Sequence, residues 1–403
     1  MIVRCVATSA NGAARKRTLT TIVRARDSIN RPDLPRLVRY NQQSVTLGNY
    51  PVQCLPLFQR AERVGRIDRR RFLSTTAQQA ISWGVLSSTL TVSDPGFAAP
   101  QAEPPIIDTH MHVWASDRRR YPFRHPYIND FKSPPHEATL EMLIEDMNQH
   151  GCTHCVLVQV IYHGWDNTYI ADCVKQYPQR LRAHGLIDPT DAKVADRLEY
   201  WVSECALHGM RFSPIYYQNG AHGGDGWINA PETHRLWRKA EQLGAVFNFF
   251  IAARQLPKLA QMVQAHPGVR VVIDHLAQID LGAENPEPDF QLLLAMARYP
   301  NVWVKVSELN SVSKSGKYPF RDSFPYVRRV YEGFGPDRLL FGTGYAGAAR
   351  AAYERPTLAE EIDLIRAEVP FFSKEDREKI LGRNAARLWG FVTAGKNAIS
   401  ENA

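Results

Sequence analysis

Ile106-Ile107-Asp108-Thr109-His110-Met111-His112-Val113-Trp114 is the stretch from which the fold of this 403-residue chain becomes readable. A short apolar run leads into two histidines two residues apart. On a strand that spacing turns both imidazoles to one face. Two neutral imidazoles converging at a strand end suit a divalent cation, or hydrogen bonding to a polarised carbonyl. A bare His-x-His is commonly no more than two polar residues on an exposed strand, so its weight depends on the rest of the chain.

From residue 105 onward strand-like and helix-like segments alternate. The strand candidates are Ile106–His112, Cys155–Ile161, Leu181–Ile187, Gly209–Phe212, Ala245–Ile251, Val269–His275, Val302–Val306 and Arg338–Phe341. Helical patterns lie near 137–150, 167–177, 191–207, 232–243, 254–265, 288–298, 321–332 and 357–368. The strands read as continuous apolar runs, as those of a parallel sheet covered on both faces do. Eight such units in about 265 residues match a (β/α)8 TIM barrel in count and size. Its expected bounds are residues 101–392. An open doubly wound sheet would carry a Gly-rich first turn, and residues 108–116 have none.

A barrel gives the histidines a location, because the C-terminal strand ends hold the active site in this fold. His110 and His112 close strand one, His275 closes strand six, Arg211 lies in strand four and Lys305 in strand seven. Polar groups at the ends of apolar strands are costly unless partnered or solvated, so their convergence at one mouth points to a site. Asp274, out of phase with His275, is expected to pair with a neighbouring loop or helix.

With 44% hydrophobic residues the chain can build a large core. Its formal charge of +8 invites a nucleic-acid partner, but residues 1–100 hold 15 Lys and Arg against 5 Asp and Glu, leaving −2 for the rest. The basicity belongs to an N-terminal arm, and the globular part gives nucleic-acid binding no support. Residues 1–66 lack periodicity and read as a disordered basic arm. Residues 67–100 contain Arg69-Arg70-Arg71-Phe72-Leu73 and a weakly apolar run from Ala80 to Val92, which resembles a twin-arginine export signal. That run is too short and polar to span a membrane, and Gly96-Phe97-Ala98 is the best cleavage site. Export would make the protein periplasmic; a merely disordered arm would leave it cytoplasmic. Residues 393–403 read as a tail. The six cysteines show no disulfide framework, and Cys152-x-x-Cys155 reads as small buried residues at a strand start rather than a zinc or redox pair.

Further motifs fall in order along the barrel: Gly-Met-Arg-Phe-Ser at 209–213, Val-Ile-Asp-His-Leu at 272–276, Val-Trp-Val-Lys-Val-Ser at 302–307, Asp-Arg-Leu-Leu-Phe-Gly-Thr at 337–343 and Ile-Leu-Gly-Arg-Asn-Ala-Ala-Arg-Leu-Trp-Gly at 380–390. With them the chain resembles the amidohydrolase-related, TIM-barrel metal-dependent hydrolases, nearest the branch with sugar-lactone and pyrone-dicarboxylate lactonases. The resemblance implies a divalent metal, zinc first, on His110, His112 and His275, with His275 also catalytic. Arg211 and Lys305 would bind carboxylate or hydroxyl groups of a small-molecule substrate. A homo-oligomer is left open.

Two departures bear on activity. The family ends strand eight with an aspartate after Phe-Gly-Thr or Phe-Gly-Ser, a general base and metal ligand. Here Phe341-Gly342-Thr343 runs into Gly344, with no Asp or Glu until Glu354. Strand five, Val246-Phe247-Asn248, has no histidine. Losing a general base removes about 10²–10⁴ of rate, which a metal-activated water would partly offset. The replacement bases on offer, Glu308 after strand seven and Asp166 after strand two, each have to reach across the mouth. Restoring a base with Gly344→Asp is then expected to raise the rate. Gly342-x-Gly344-x-x-Gly347 spells a dinucleotide pattern without the βαβ unit that would support it; a phosphate loop is the milder reading. The leading function is hydrolysis of a lactone or related cyclic ester of a sugar acid or carboxylic acid. The alternatives are a non-oxidative decarboxylase of the same superfamily and a catalytically impaired, carboxylate-binding barrel.

Overall fold

The structure is a computed structural model that describes residues 103–134, 136–216 and 223–393. The expected basic arm, the export-like segment and the tail beyond Thr393 lie outside the described residues.

The strands are β1 (Ile106–His112), β2 (Cys152–Val158), β3 (Leu181–Leu186), β4 (Gly209–Phe212), β5 (Val246–Phe249), β6 (Arg270–Ile273), β7 (Val302–Lys305), β8 (Leu339–Leu340) and β9 (Gly344–Tyr345). β1 to β8 pair in chain order and in parallel, whereas β9 pairs with β1, Met111 opposite Gly344 and His112 opposite Tyr345. Between these pairings the Thr109 N–H donates to the Phe341 carbonyl at 3.0 Å. Residues 339–345 are thus one eighth strand, interrupted midway, that closes a (β/α)8 barrel. The interruption, which the sequence does not reveal, sits at Thr343. There Asp108 takes both the Thr343 N–H (3.1 Å) and its hydroxyl (2.6 Å).

Each crossover carries the helix its periodicity predicts: Leu140–Gln149, Thr168–Gln176, Val194–Glu199, His234–Leu243, Leu256–Ala265, Glu287–Ala295 and Phe324–Phe334, with Leu358–Asp363 after the eighth strand. Local chemistry sets their starts. Thr139 accepts from the Met142 N–H, Thr357 and Glu360 form a reciprocal capping box, and proline stands in the first turn of the helices at 256 and 324. β2 starts at Cys152, so Cys152 and Cys155 are strand residues, both free and buried. Burial pushes both thiols up, Cys152 to about 12, which favours the neutral thiol.

Side chains alternate between two apolar layers. Val271 and Ile273 of β6 and Val304 of β7 pack in the large cluster shared with the helices. Val272, Val246, Ile107, Val156 and Leu340 form a second cluster with Trp303 and the helix Asn384–Trp389. Strands that are not neighbours, such as β2 and β5, can meet only inside the barrel, so this second cluster is its interior floor. One pleat higher on the same face, Val246 gives way to Asn248, Val272 to Asp274 and Trp303 to Lys305, all fully buried. The barrel interior therefore turns from apolar to polar within about 7 Å of strand.

Candidate active site

The polar layer is built around Lys305. Its Nζ lies 3.0 Å from Asp274 Oδ1, 2.7 Å from Asn248 Oδ1 and 3.0 Å from His110 Nδ1. Asp274 and Asn248 accept from the ammonium, while His110 Nδ1 accepts from it in one tautomer and donates to Asp274 Oδ1 in the tautomer that frees Nε2. Asp274 is central rather than peripheral: its Oδ1 is also 3.3 Å from His110 Nδ1, and its Oδ2 is 3.6 Å from Arg211 Nε. The expectation that it pairs with an outer loop or helix is corrected by its register, for Asp274 shares the interior face with Val272. Burial pushes the Asp274 carboxyl up, but Lys305, His110 and His275 outweigh this and hold it well below the ordinary carboxylate range.

Above this pair three imidazoles converge. His110 Nε2 and His112 Nε2 are 3.2 Å apart, and the His110 and His275 rings lie 4.4 Å apart between centroids. His112 Nδ1 donates to the Val158 carbonyl at 2.7 Å, which leaves its Nε2 lone pair facing His110. His275 Nδ1 is 2.8 Å from Ser307 Oγ, and its Nε2 is 3.5 Å from Glu308 Oε1. Burial above all lowers the pKa of all three, with Lys305 adding to the effect at His110 and Arg211 at His112, the latter reaching about 3. All three are neutral at pH 7, the state in which imidazole binds metal.

The backbone explains how His275 reaches the cluster. By alternation Ile273 and His275 would face the helices, but His275 has φ 47 and the next three residues are also left-handed. The pleat ends at Asp274 and the His275 ring swings inward. Gly342 supports the first strand from the other side, since a Cβ there would stand 2.8 Å from the His110 Cβ. Arg211 is buried with its guanidinium over the Phe250 ring, and its Nε has no hydrogen-bond partner among the described residues. Its nearest acceptor is Asp274 Oδ2, at ion-pair distance, 3.6 Å. Asp166, the other replacement base, instead holds the Thr168 N–H and hydroxyl at a helix start. In the glycine pattern at 342–347 the Gly347 N–H already donates to Asp146 Oδ2 at 2.6 Å.

These donors fit a divalent cation. A tetrahedral zinc with Zn–N of about 2.0–2.1 Å sets neighbouring nitrogens about 3.3 Å apart, close to the 3.2 Å between His110 and His112. Ligand atoms of His110, His275 and Glu308, all buried, lie within 4.8 Å of one another. Sequence reasoning placed the three histidines and Arg211 at one mouth. It missed Asp274, Asn248 and Ser307, and gave Glu308 only as a distant substitute.

The sequence profile of the amidohydrolases matches residues 107–391. The chain belongs to the amidohydrolase family, and the family and fold make it a hydrolase of the TIM-barrel type. A 4-sulfomuconolactone hydrolase of Rhizobium radiobacter is 27% identical over 297 residues, 73% of this chain and 92% of its own length. An L-fucono-1,5-lactonase of Burkholderia ambifaria is 25% identical over 249 residues, 59% of this chain and 79% of its own. Among solved structures, a probable 2-pyrone-4,6-dicarboxylic acid hydrolase from Acinetobacter baumannii, with citric acid bound, superposes with a TM-score of 0.57 at 23% identity, covering 71% of this chain and 99% of that one. A zinc-bound amidohydrolase from Burkholderia multivorans gives 0.56 at 20% identity over 71% and 99%. These two likenesses carry the fold.

Proposed function

We propose that this chain hydrolyses a lactone, a cyclic ester of a carboxylic or sugar acid. One observation carries the reading: three buried imidazoles converge at the barrel mouth beside a buried arginine. His110, His112 and His275 would hold a divalent cation, zinc by donor type. When bound, such an ion lowers the pKa of a water and polarises an acyl oxygen. Arg211 binds a carboxylate or the acyl oxygen of the substrate with its charge. His275, oriented through Nδ1 by Ser307, serves catalysis as a ligand of that cation. Water oxygen bonds to the acyl carbon, the ring C–O bond breaks, and one water proton goes to the departing alkoxide by way of the Glu308 carboxylate. Lys305, held by Asp274 and Asn248 beside His110, becomes a positioning residue rather than a substrate ligand. The names of the curated relatives, both lactone hydrolases, support the substrate class. The same reading keeps the Arg69–Leu73 segment as an export signal.

Ring opening releases an acid, so a pH-indicator assay over muconolactones, aldonolactones and pyrone carboxylates tests the proposal. Turnover of at least one lactone, falling about 10²-fold or more in Arg211→Met, is expected. Tight carboxylate binding without turnover, or carbon dioxide release in its place, refutes it.

A further inference from the structure

The site has a carboxylate after all, and it comes from a different strand. Gly344 stands where the family resemblance leads one to expect an acid at the end of the eighth strand. A Cβ built on Gly344 would have as its nearest neighbour Glu308 Oε1, at 3.5 Å. The carboxylate of Glu308 thus reaches the space that the missing side chain vacates. The same Oε1 is 3.5 Å from His275 Nε2, while Oε2 is 3.0 Å from Arg355 Nη2. Arg355 is itself held by Asn310 Oδ1 at 2.9 Å, so the orientation of the carboxylate is fixed from behind.

The backbone shows how this is achieved. On β7, Trp303 and Lys305 face the interior and Val304 and Val306 face the helices. Continued alternation would send Glu308 outward with them. Instead Glu308 has φ 52, a left-handed conformation costing a non-glycine residue roughly 1 kcal/mol, and its side chain, in the mouth, is only 9% exposed. His275, one strand away, turns inward by the same device.

Resting on the lactone reading for its reaction but not for its geometry, we infer that Glu308 is the carboxylate of the cation site. It stands with His110 and His275, contributed by strand seven in place of strand eight. Gly344 is its complement: its φ of 132 disfavours any side chain, and an acidic one would set two like charges together. The glycine is then a relocation of the acid rather than a loss of function.

The test is cobalt binding by the full chain, freed of metal by chelation, followed by the visible absorption of Co²⁺ and by calorimetry. Glu308→Gln should weaken Co²⁺ binding roughly tenfold or more, the least a lost ligand costs when outer partners already cost 10–100-fold. Arg355→Met, which removes an outer partner of that carboxylate and leaves the ligand in place, should weaken binding clearly less than Glu308→Gln does. Cobalt affinity equal to wild type in Glu308→Gln overturns the inference, and so does an equal loss in Arg355→Met, or a wild type that binds no Co²⁺. Should Glu308→Gln fail to fold, anomalous diffraction from cobalt-loaded wild-type crystals decides. Cobalt bonded to a Glu308 oxygen supports the assignment, and cobalt on histidines alone refutes it. The two proposals fail separately: lactone turnover with unchanged cobalt binding in Glu308→Gln rejects Glu308 alone, and weakened cobalt binding without lactone turnover rejects the substrate class alone.

Discussion

Replacing Asp274 by Asn should expose how much of the barrel depends on one buried pair. The carboxylate and the Lys305 ammonium are both fully buried, with 3.0 Å between Oδ1 and Nζ. Removing one partner of such a pair leaves an uncompensated charge, at a cost of about 3–5 kcal/mol. Asparagine keeps an oxygen for Nζ and Asn248 still accepts at 2.7 Å, which places the expected loss near the lower end, about 3 kcal/mol. For a barrel of this size that corresponds to a fall in Tm of roughly 6–12 °C. The assay is equilibrium urea unfolding of the metal-free full chain, with thermal melting alongside. Lys305→Met added to Asp274→Asn removes the orphaned charge and fills the lysine stem, so the double variant should recover most of the loss. The coupling energy of the cycle should be about 2 kcal/mol or more. A single-variant loss below about 1 kcal/mol, or a double variant that is simply additive, would refute the account of Lys305 as a residue held by Asp274.

The mouth of the barrel offers two other perturbations. Burial raises the Glu361 carboxyl from 4.5 to about 8, and Arg350, at 3.6 Å, only partly opposes it. The folded state therefore holds this proton more tightly than the unfolded chain, and stability is full below about pH 4.5 and declines as the pH rises through 8. Glu361→Gln, neutral throughout, should melt progressively higher than wild type between pH 5 and 9, with the gap approaching roughly 4 kcal/mol; parallel melting curves would contradict this. Gly344→Asp should not raise lactone turnover, because Gly344 has φ 132 and the new carboxylate would stand beside that of Glu308. A loss of about 1–3 kcal/mol in urea unfolding is expected, and a tenfold faster enzyme would show that strand eight does lack a needed acid.

The barrel was legible because its two signals are local. Parallel strands covered on both faces read as short apolar runs, and the helices between them carry their own caps, as at Thr139 and Thr357. The break in the eighth strand was not legible. It depends on Asp108, 235 residues away in the chain, taking the hydrogen bonds of Thr343. The histidine pair of β1 was readable for the opposite reason, since one strand fixes both side chains on one face. Lys305 was found but its partners were not. Asn248, Asp274 and His110 meet it only after β1, β5, β6 and β7 close on one another.

The strand ends show why a sequence of this kind hides half its site. Along β6, Val271, Val272 and Ile273 are all apolar, so nothing marks which of them faces inward, and Asp274 was assigned to the wrong side. Alternation would then have kept His275 and Glu308 out of the interior. Both enter it because each stands in a left-handed conformation, φ 47 and 52, just past its strand. No residue type announces that conformation unless it is glycine or asparagine. A strand leaving in this way delivers two consecutive residues inward, Asp274 with His275 and Ser307 with Glu308, where regular alternation delivers one. Two adjoining strands thus fill the mouth with four polar side chains. That doubling lets β7 supply an acid while β9 carries only a glycine at the same level.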